Sequence, residues 1–175
     1  METATLGGGC FWCLEAVYDE MEGVSSVESG YMGGHVENPD YDAVCTGKTG
    51  HVEVVQVTFD PEVTTYREIL EVFFAMHDPT SMDRQGNDAG PQYRSAIFTH
   101  SDAQSEMAHQ LIAELDGAGL AGKRIVTQVR PAAKFYEAEE YHQEYFKNNP
   151  QQGYCAFVVA PKLKKFREKF AEKRR

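Results

Sequence analysis

The chain has 175 residues, 42% of them apolar and 25% charged, which fits one soluble domain with one core. No stretch reaches the roughly 18 apolar residues that a membrane helix needs, and no basic segment followed by an apolar run opens the chain, so the expectation is a cytoplasmic protein without membrane contact. Net charge is −10, split into +6 on residues 162–175 and −16 on the other 161, and an acidic body argues against nucleic acid as a partner.

Residues 4–6 read as a short strand and 7–9 as a glycine turn. A helix starts near Cys10, with Phe11, Leu14, Tyr18 and Met21 on one face and Gly23 as its stop. Residues 24–32 form a second strand, and a long polar loop with Gly-Gly and Asn-Pro covers 33–50. A valine-rich strand at 51–59 ends at Asp60-Pro61. The helix at 64–77 has Thr65 and Glu68 as a capping box and buries Tyr66, Ile69, Leu70, Phe73 and Phe74. A second irregular loop covers 78–92. A strand at 94–100 leads to a helix at 101–115, boxed by Ser101 and Gln104 and stopped by Gly117. A strand at 125–131 and a short helix over 137–148 follow. "AFVVAP" (156–161) has the composition of a strand, and 162–175 is a basic amphipathic helix with Leu163, Phe166 and Phe170 at helical spacing. That helix is either a packed terminal element with a solvated basic face or a docking site. Strands and helices are interleaved, but the strands are few and short. An α+β fold, with an antiparallel or mixed sheet and helices against one face, is expected over a single catalytic domain, 1–175. The two long loops are the segments to search for function.

Cys10 follows a strand and a glycine turn and opens a helix, where free N–H groups and the helix dipole favour a thiolate. It reads as a nucleophile, against the alternative of a buried structural cysteine. Cys13, three residues on, faces the same side. The C-x-x-C spacing suits thiol–disulfide exchange, but it is also half of a zinc site. Zinc needs a second half, and Cys45 and Cys155 are lone cysteines without a His-x₃₋₅-His pair. Phe11 and Trp12 read as walls of an apolar pocket or as core aromatics. Glu53 alternates onto a face with Val55, Val57 and Phe59, where burial would raise its pKa and make it a general acid. Val52 and Val54 make the other face apolar too, so alternation alone leaves Glu53 buried or solvated. The long loops add Tyr41, Asp88 and Tyr93 as donors and acceptors around a polar oxygen.

These residues resemble a known family. "GGGCFWC", "GYMGGHVENPDYDAVCTGKTGHVEVVQVTFDP", "GNDAGPQYRSAIF" and "FYEAEEYHQEYF" are similar to the A-type peptide methionine sulfoxide reductases, over residues 5 to 160. The resemblance implies a two-layer α+β sandwich with a mixed, mostly antiparallel sheet, a ferredoxin-like core and long functional loops. It implies reduction of the S epimer of methionine sulfoxide, with Cys10 as nucleophile. Phe11 and Trp12 would hold the S-methyl group, Glu53 would be the acid, and Tyr41 and Tyr93 would bind the sulfoxide oxygen. Asp88 and His142 would support the pocket. Cys10 would become a sulfenic acid and then a disulfide, with thioredoxin as reductant and no metal or organic cofactor. Some members carry glycine at the position of Cys13 and resolve through a C-terminal cysteine. Cys155 in "NPQQGYC" matches that segment, so Cys13 and Cys155 are rival resolving cysteines, and Cys45 is taken as structural. The expected partners are thioredoxin and oxidised proteins or peptides, met by a monomer. The alternative function is a general dithiol–disulfide oxidoreductase using Cys10 and Cys13.

Overall fold

The computed structural model describes residues 1–119 and 122–175. In chain order its elements are β1 (Glu2–Gly7), α1 (Phe11–Asp19), β2 (Val24–Met32), α2 (Tyr41–Cys45), β3 (Val52–Phe59), α3 (Tyr66–Met76), β4 (Arg84–Gln85), β5 (Asp88–Ala89), β6 (Ala96–Thr99), α4 (Asp102–Ala118), β7 (Gln128–Pro131), β8 (Tyr136–Glu137), α5 (Tyr145–Asn148) and α6 (Ala160–Lys169). Six strands form one sheet in the order β7-β6-β1-β3-β2-β8. Every pairing in it is antiparallel except β6 with β7. The central order β6-β1-β3-β2, with α1 joining β1 to β2 and α3 joining β3 to β6, is the βαββαβ arrangement of a ferredoxin-like core. The fold is the mixed α+β class that the sequence implies.

β3 lies between β1 and β2, which explains its continuous valines. Val55, Val57 and Phe59 face the main core under the helices. Val52 and Val54 join Met32, Ala96 and Phe98 in a small cluster on the opposite face, closed by Ala132 and Phe135. With both faces covered, period-two alternation disappears from the sequence.

The glycine turn has a steric cause. Gly9 has φ 84°, and a Cβ on Gly7 or Gly8 would lie 2.5 Å from Val52 or 2.8 Å from His77. The chain therefore turns tightly from β1 into α1 and delivers Cys10 to the edge of the core.

Several sequence expectations are corrected. Residues 156–161 are not a strand: Cys155–Val159 form a π-helical turn that runs directly into α6. Pro161, in the first turn of α6, has no N–H and its ring crowds the carbonyl one turn back, and the wider π turn accommodates it. Gly117 does not stop α4, which runs to Ala118 and ends on left-handed Gly119 at φ 65°. The helix expected over 137–148 breaks into β8, a 3₁₀ turn at Glu140–His142 and α5, because Glu144 is left-handed at φ 52°. The loop 33–50 contains α2, and the loop 78–92 contains the β4–β5 hairpin.

The C-terminal helix starts at Ala160 and ends at Lys169, with a 3₁₀ turn at Ala171–Lys173. It packs on α1 and α3 and buries Leu163 and Phe166. Arg167 makes two hydrogen bonds to Glu20 at 2.9 and 2.8 Å, and Lys173 reaches Glu68 at 2.7 Å. These contacts support the packed-helix reading of the tail. No helix among the described residues is long and apolar enough to cross a membrane.

Candidate active site

Cys10 is the N-cap of α1, in extended backbone with ψ 131°, and its side chain is buried. The first helical N–H, that of Phe11, donates to Glu53 Oε1 at 3.2 Å. This hydrogen bond joins the start of α1 to the middle of β3 and sets the nucleophile candidate beside the acid candidate. Glu53 is fully buried, which resolves its ambiguity in the sequence. Its other oxygen, Oε2, is buried without any hydrogen-bond partner among the described residues. Burial pushes its pKa up to about 8, against the pull of the Phe11 N–H. Near neutral pH it is a carboxylic acid whose second oxygen is unbonded.

The thiolate expected at Cys10 is corrected. Burial is the largest influence and raises the thiol well above its ordinary range. Negative charge on Glu53 and on Cys13 adds to this, and the Trp12 N–H only partly offsets it. A helix start favours an anion, but here the closed apolar setting outweighs it, and above a pH of about 8 the charge of Glu53 adds to the opposition. The resting group is a thiol.

Tyr41 begins α2 and Tyr93 ends the 3₁₀ turn Pro91–Tyr93. Burial and then the charge of Glu53 raise the pKa of both hydroxyls, so both stay protonated donors at this site. Tyr41 is anchored by Glu139, whose Oε2 accepts from the Tyr41 N–H at 2.9 Å and whose Oε1 accepts from the Tyr31 hydroxyl at 2.9 Å. The Gly9 N–H donates to the Tyr93 carbonyl at 3.1 Å, tying the second loop to the glycine turn.

Phe11 is fully buried against Tyr31 and His142, at 5.7 and 5.2 Å between ring centroids. Trp12 is half-buried and lies flat on Tyr145, at 3.9 Å and 5°. Its Nε1 donates to His142 Nδ1 at 3.1 Å. His142 is buried, burial lowers its pKa, and its Nε2 has no partner among the described residues. Together these rings make a wall beside Cys10.

Cys13 is buried, and its N–H donates to the Cys10 carbonyl at 3.1 Å. Burial raises its thiol, while the positive charge of Lys162 and the Tyr154 hydroxyl, 3.9 Å from Sγ, pull it back. That hydroxyl donates to Asp88 Oδ2, so Asp88 and Cys13 share one tyrosine. Cys155 is fully buried in the π-helical turn, with its N–H bonded to Gln152 Oε1 at 3.0 Å. Cys45, taken from the sequence as structural, is instead exposed at the end of α2 beside the Tyr41 hydroxyl. Among the described residues no group of three or more His, Cys, Asp or Glu side chains could hold a metal ion.

Residues 2–174 match the family described as peptide methionine sulfoxide reductase. The chain belongs to that family. It is 56% identical to the peptide methionine sulfoxide reductase MsrA of Polynucleobacter asymbioticus, over 97% of this chain and 90% of that protein. Among solved structures, reduced Mxr1 of Saccharomyces cerevisiae superposes with a TM-score of 0.80 at 38% identity, over 88% of each chain. Mxr1 has also been solved in complex with Trx2, and that chain matches with a TM-score of 0.56 at 31% identity, over 82% of this chain and 84% of that one. The activity of this oxidoreductase family is reduction of methionine sulfoxide.

Tyr145, Tyr154 and Glu139 also belong to this site, without a role legible in the sequence. Tyr145 follows His142 at i+3 in "YHQEYF", and Tyr154 directly precedes Cys155, so both signals lay inside quoted motifs. Glu139 lies inside "FYEAEEYHQEYF" too, but nothing local points to its role, because its partners Tyr31 and Tyr41 are about 100 residues away in sequence (|i−j| of 108 and 98).

Proposed function

We propose that this chain reduces the S epimer of methionine sulfoxide with Cys10 as nucleophile and Glu53 as general acid, and that it is recycled by thioredoxin. The observation that carries this is the buried, unpartnered Oε2 of Glu53 beside Cys10. A neutral carboxyl with an unbonded O–H is a donor waiting for an oxygen. A general dithiol oxidoreductase would have no use for it.

A sulfoxide oxygen leaves only when protonated. Glu53 gives its proton to that oxygen, while Tyr41 and Tyr93 donate hydrogen bonds to it. Cys10 Sγ attacks the sulfur, and the thiol proton returns to Glu53. The two electrons come from the Cys10 sulfur: the substrate S–O bond breaks as the oxygen passes to Cys10, the Cys10–substrate sulfur bond formed in the attack breaks with its electron pair on the leaving methionine, and Cys10 becomes a sulfenic acid. Below a pH of about 8 Glu53 is neutral, so its charge no longer opposes a thiolate at Cys10. Phe11 and Trp12 take the S-methyl group, with Asp88 and His142 supporting the pocket.

Cys13 is the first resolving cysteine. Its thiol attacks Cys10 sulfur, the hydroxyl leaves as water, and a Cys10–Cys13 disulfide forms. One helical turn separates the two, whereas Cys155 is held in a buried helical turn. Cys155 receives the disulfide from Cys13 afterwards. Thioredoxin as the reductant is supported by the Mxr1–Trx2 complex of a family member. The substrates are oxidised proteins and peptides in the cytoplasm.

A single turnover without reductant tests this. With one equivalent of peptide per chain, the S epimer should be converted to methionine and the R epimer not, and peptide mapping of protein quenched early should find Cys10 joined to Cys13 before any Cys13–Cys155 link appears. Cys10→Ser should yield no methionine. Turnover by Cys10→Ser at the native rate would sink the mechanism.

A further inference from the structure

Glu15 is a buried carboxylate that the reaction above does not use. It lies on α1, one turn beyond Trp12, and only 3% of it is exposed. The Ser29 hydroxyl of β2 donates to its Oε2 at 2.9 Å. The backbone N–H groups of Glu144 and Tyr145 face the same carboxylate and favour its charged form. Gln143 completes the attachment of this segment to β2. Its Oε1 accepts from the Ser29 N–H at 2.9 Å, and its Nε2 donates to the carbonyls of Ser29 and Ala138 at 2.9 and 3.0 Å. The segment so held carries His142 and Tyr145, the two rings that bond and stack Trp12.

We propose that Glu15 is a positioning residue for sulfoxide reduction: through Ser29, which also bonds Gln143, its carboxylate holds the 143–145 segment against α1, and thereby keeps Tyr145 stacked on Trp12 at the wall of the methyl pocket. The inference rests on the reading of Trp12 as that wall.

The charges around Glu15 make it sensitive to pH. Asp19 and Glu20 lie on its own helix, Glu144 and Lys147 on the facing segment, and Arg167 on α6, all lining one cleft of about 370 Å³ with Glu15. The cations have other partners: Arg167 pairs with Glu20 at 2.8 Å and Lys147 with Glu144 at 3.9 Å. Among the described residues Glu15 therefore has no cation of its own. Burial is the largest influence on it and carries its pKa to about 7, with Ser29 and the two N–H groups limiting the rise. Across neutral pH the clamp passes from a neutral, weaker acceptor to a charged, stronger one.

Trp12 is the only tryptophan of the chain, so intrinsic fluorescence reads its stacking directly. The emission of the reduced protein should titrate with a midpoint near pH 7. Glu15→Gln should abolish that transition. It should also raise KM for a sulfoxide peptide about threefold to tenfold, the worth of one hydrogen bond, with the saturated single-turnover rate within about twofold of native. Ser29→Ala, which keeps the carboxylate and removes one donor, should move the midpoint to higher pH. That shift separates Glu15 from His142, which also touches Trp12 and titrates on its own. An emission transition near pH 7 that persists in Glu15→Gln, or a midpoint unmoved by Ser29→Ala, overturns the proposal. Trp12→Phe separates the two readings. If it leaves KM unchanged, the pocket assignment of Trp12 fails while the fluorescence results still decide the clamp. If Trp12→Phe raises KM and Glu15→Gln does not, the clamp has no hold on the pocket and the proposal fails.

Discussion

Glu15 and Glu53 are both buried carboxylates under the same helical layer, and both have pKa values raised toward neutrality, to about 7 and about 8. They differ in what their oxygens touch. Glu15 accepts a hydrogen bond from Ser29 of β2, and the N–H groups of Glu144 and Tyr145 favour its charged form. Glu53 has a single donor, the Phe11 N–H, and one oxygen with none. A buried carboxylate whose acceptor sites are filled by the fold acts on the fold. One with an empty site is positioned for something that arrives later, and the structure carries the cost of leaving it unpartnered.

Substitution at the two positions should separate these roles. The largest effect belongs to Glu53→Gln, which should slow sulfoxide reduction by at least about 100-fold while Cys10 still reacts with an alkylating reagent. An unchanged rate would remove Glu53 as the acid. Glu15→Gln should leave the chemical step nearly intact and act on KM. Equal loss of kcat in both variants would erase the distinction.

Stability should separate Glu53 from an ordinary surface acid with the opposite sign. Its folded pKa of about 8 lies above the ordinary carboxylate value. Folding therefore takes up a proton between about pH 4.5 and pH 8, and the stability contribution falls as pH rises through that window. Each displaced pKa unit is worth about 1.4 kcal/mol. Glu53→Gln should flatten this slope and raise the melting temperature at pH 8 while destroying activity. A variant that melts lower than native at pH 8 would mean that the buried acid stabilises the fold.

Much of this contrast could be read in the sequence, and the rest could not, for physical reasons. β2 and α3 followed from local pattern, and Cys10 at a helix start followed from the glycine turn. The burial of Glu53 did not, because a central strand covered on both faces loses its alternation. The π-helical turn at Cys155–Val159 was hidden by Phe157, Val158 and Val159, which have strand composition. Tertiary burial of Cys155, Val159, Leu163 and Phe166 on one helical face overrode that composition. The raised Cys10 thiol was hidden as well, since the helix start is local and the burial comes from distant chain.

Two further substitutions concern the second sulfur and leave the first chemical step intact. Cys13→Ser should retain one methionine per chain and lose multiple turnover with thioredoxin, and a full steady-state rate would pass the resolving role to Cys155. The smallest effect expected is that of Lys162→Met, which removes the positive charge that lowers the Cys13 thiol. It should slow disulfide formation about twofold to threefold without touching the first step, as expected when a smaller fraction of Cys13 is thiolate. Disulfide formation at the native rate would leave Lys162 without a part.

The most direct measurement is the pH dependence of sulfoxide reduction in a single turnover, native protein beside Glu53→Gln. The native rate should hold below pH 8 and fall about tenfold per unit above it, as Glu53 loses its proton. Glu53→Gln should be slow and show no such fall. A Glu53→Gln protein that reduces the sulfoxide at the native rate, with the same decline above pH 8, would contradict the assignment of Glu53 as the acid.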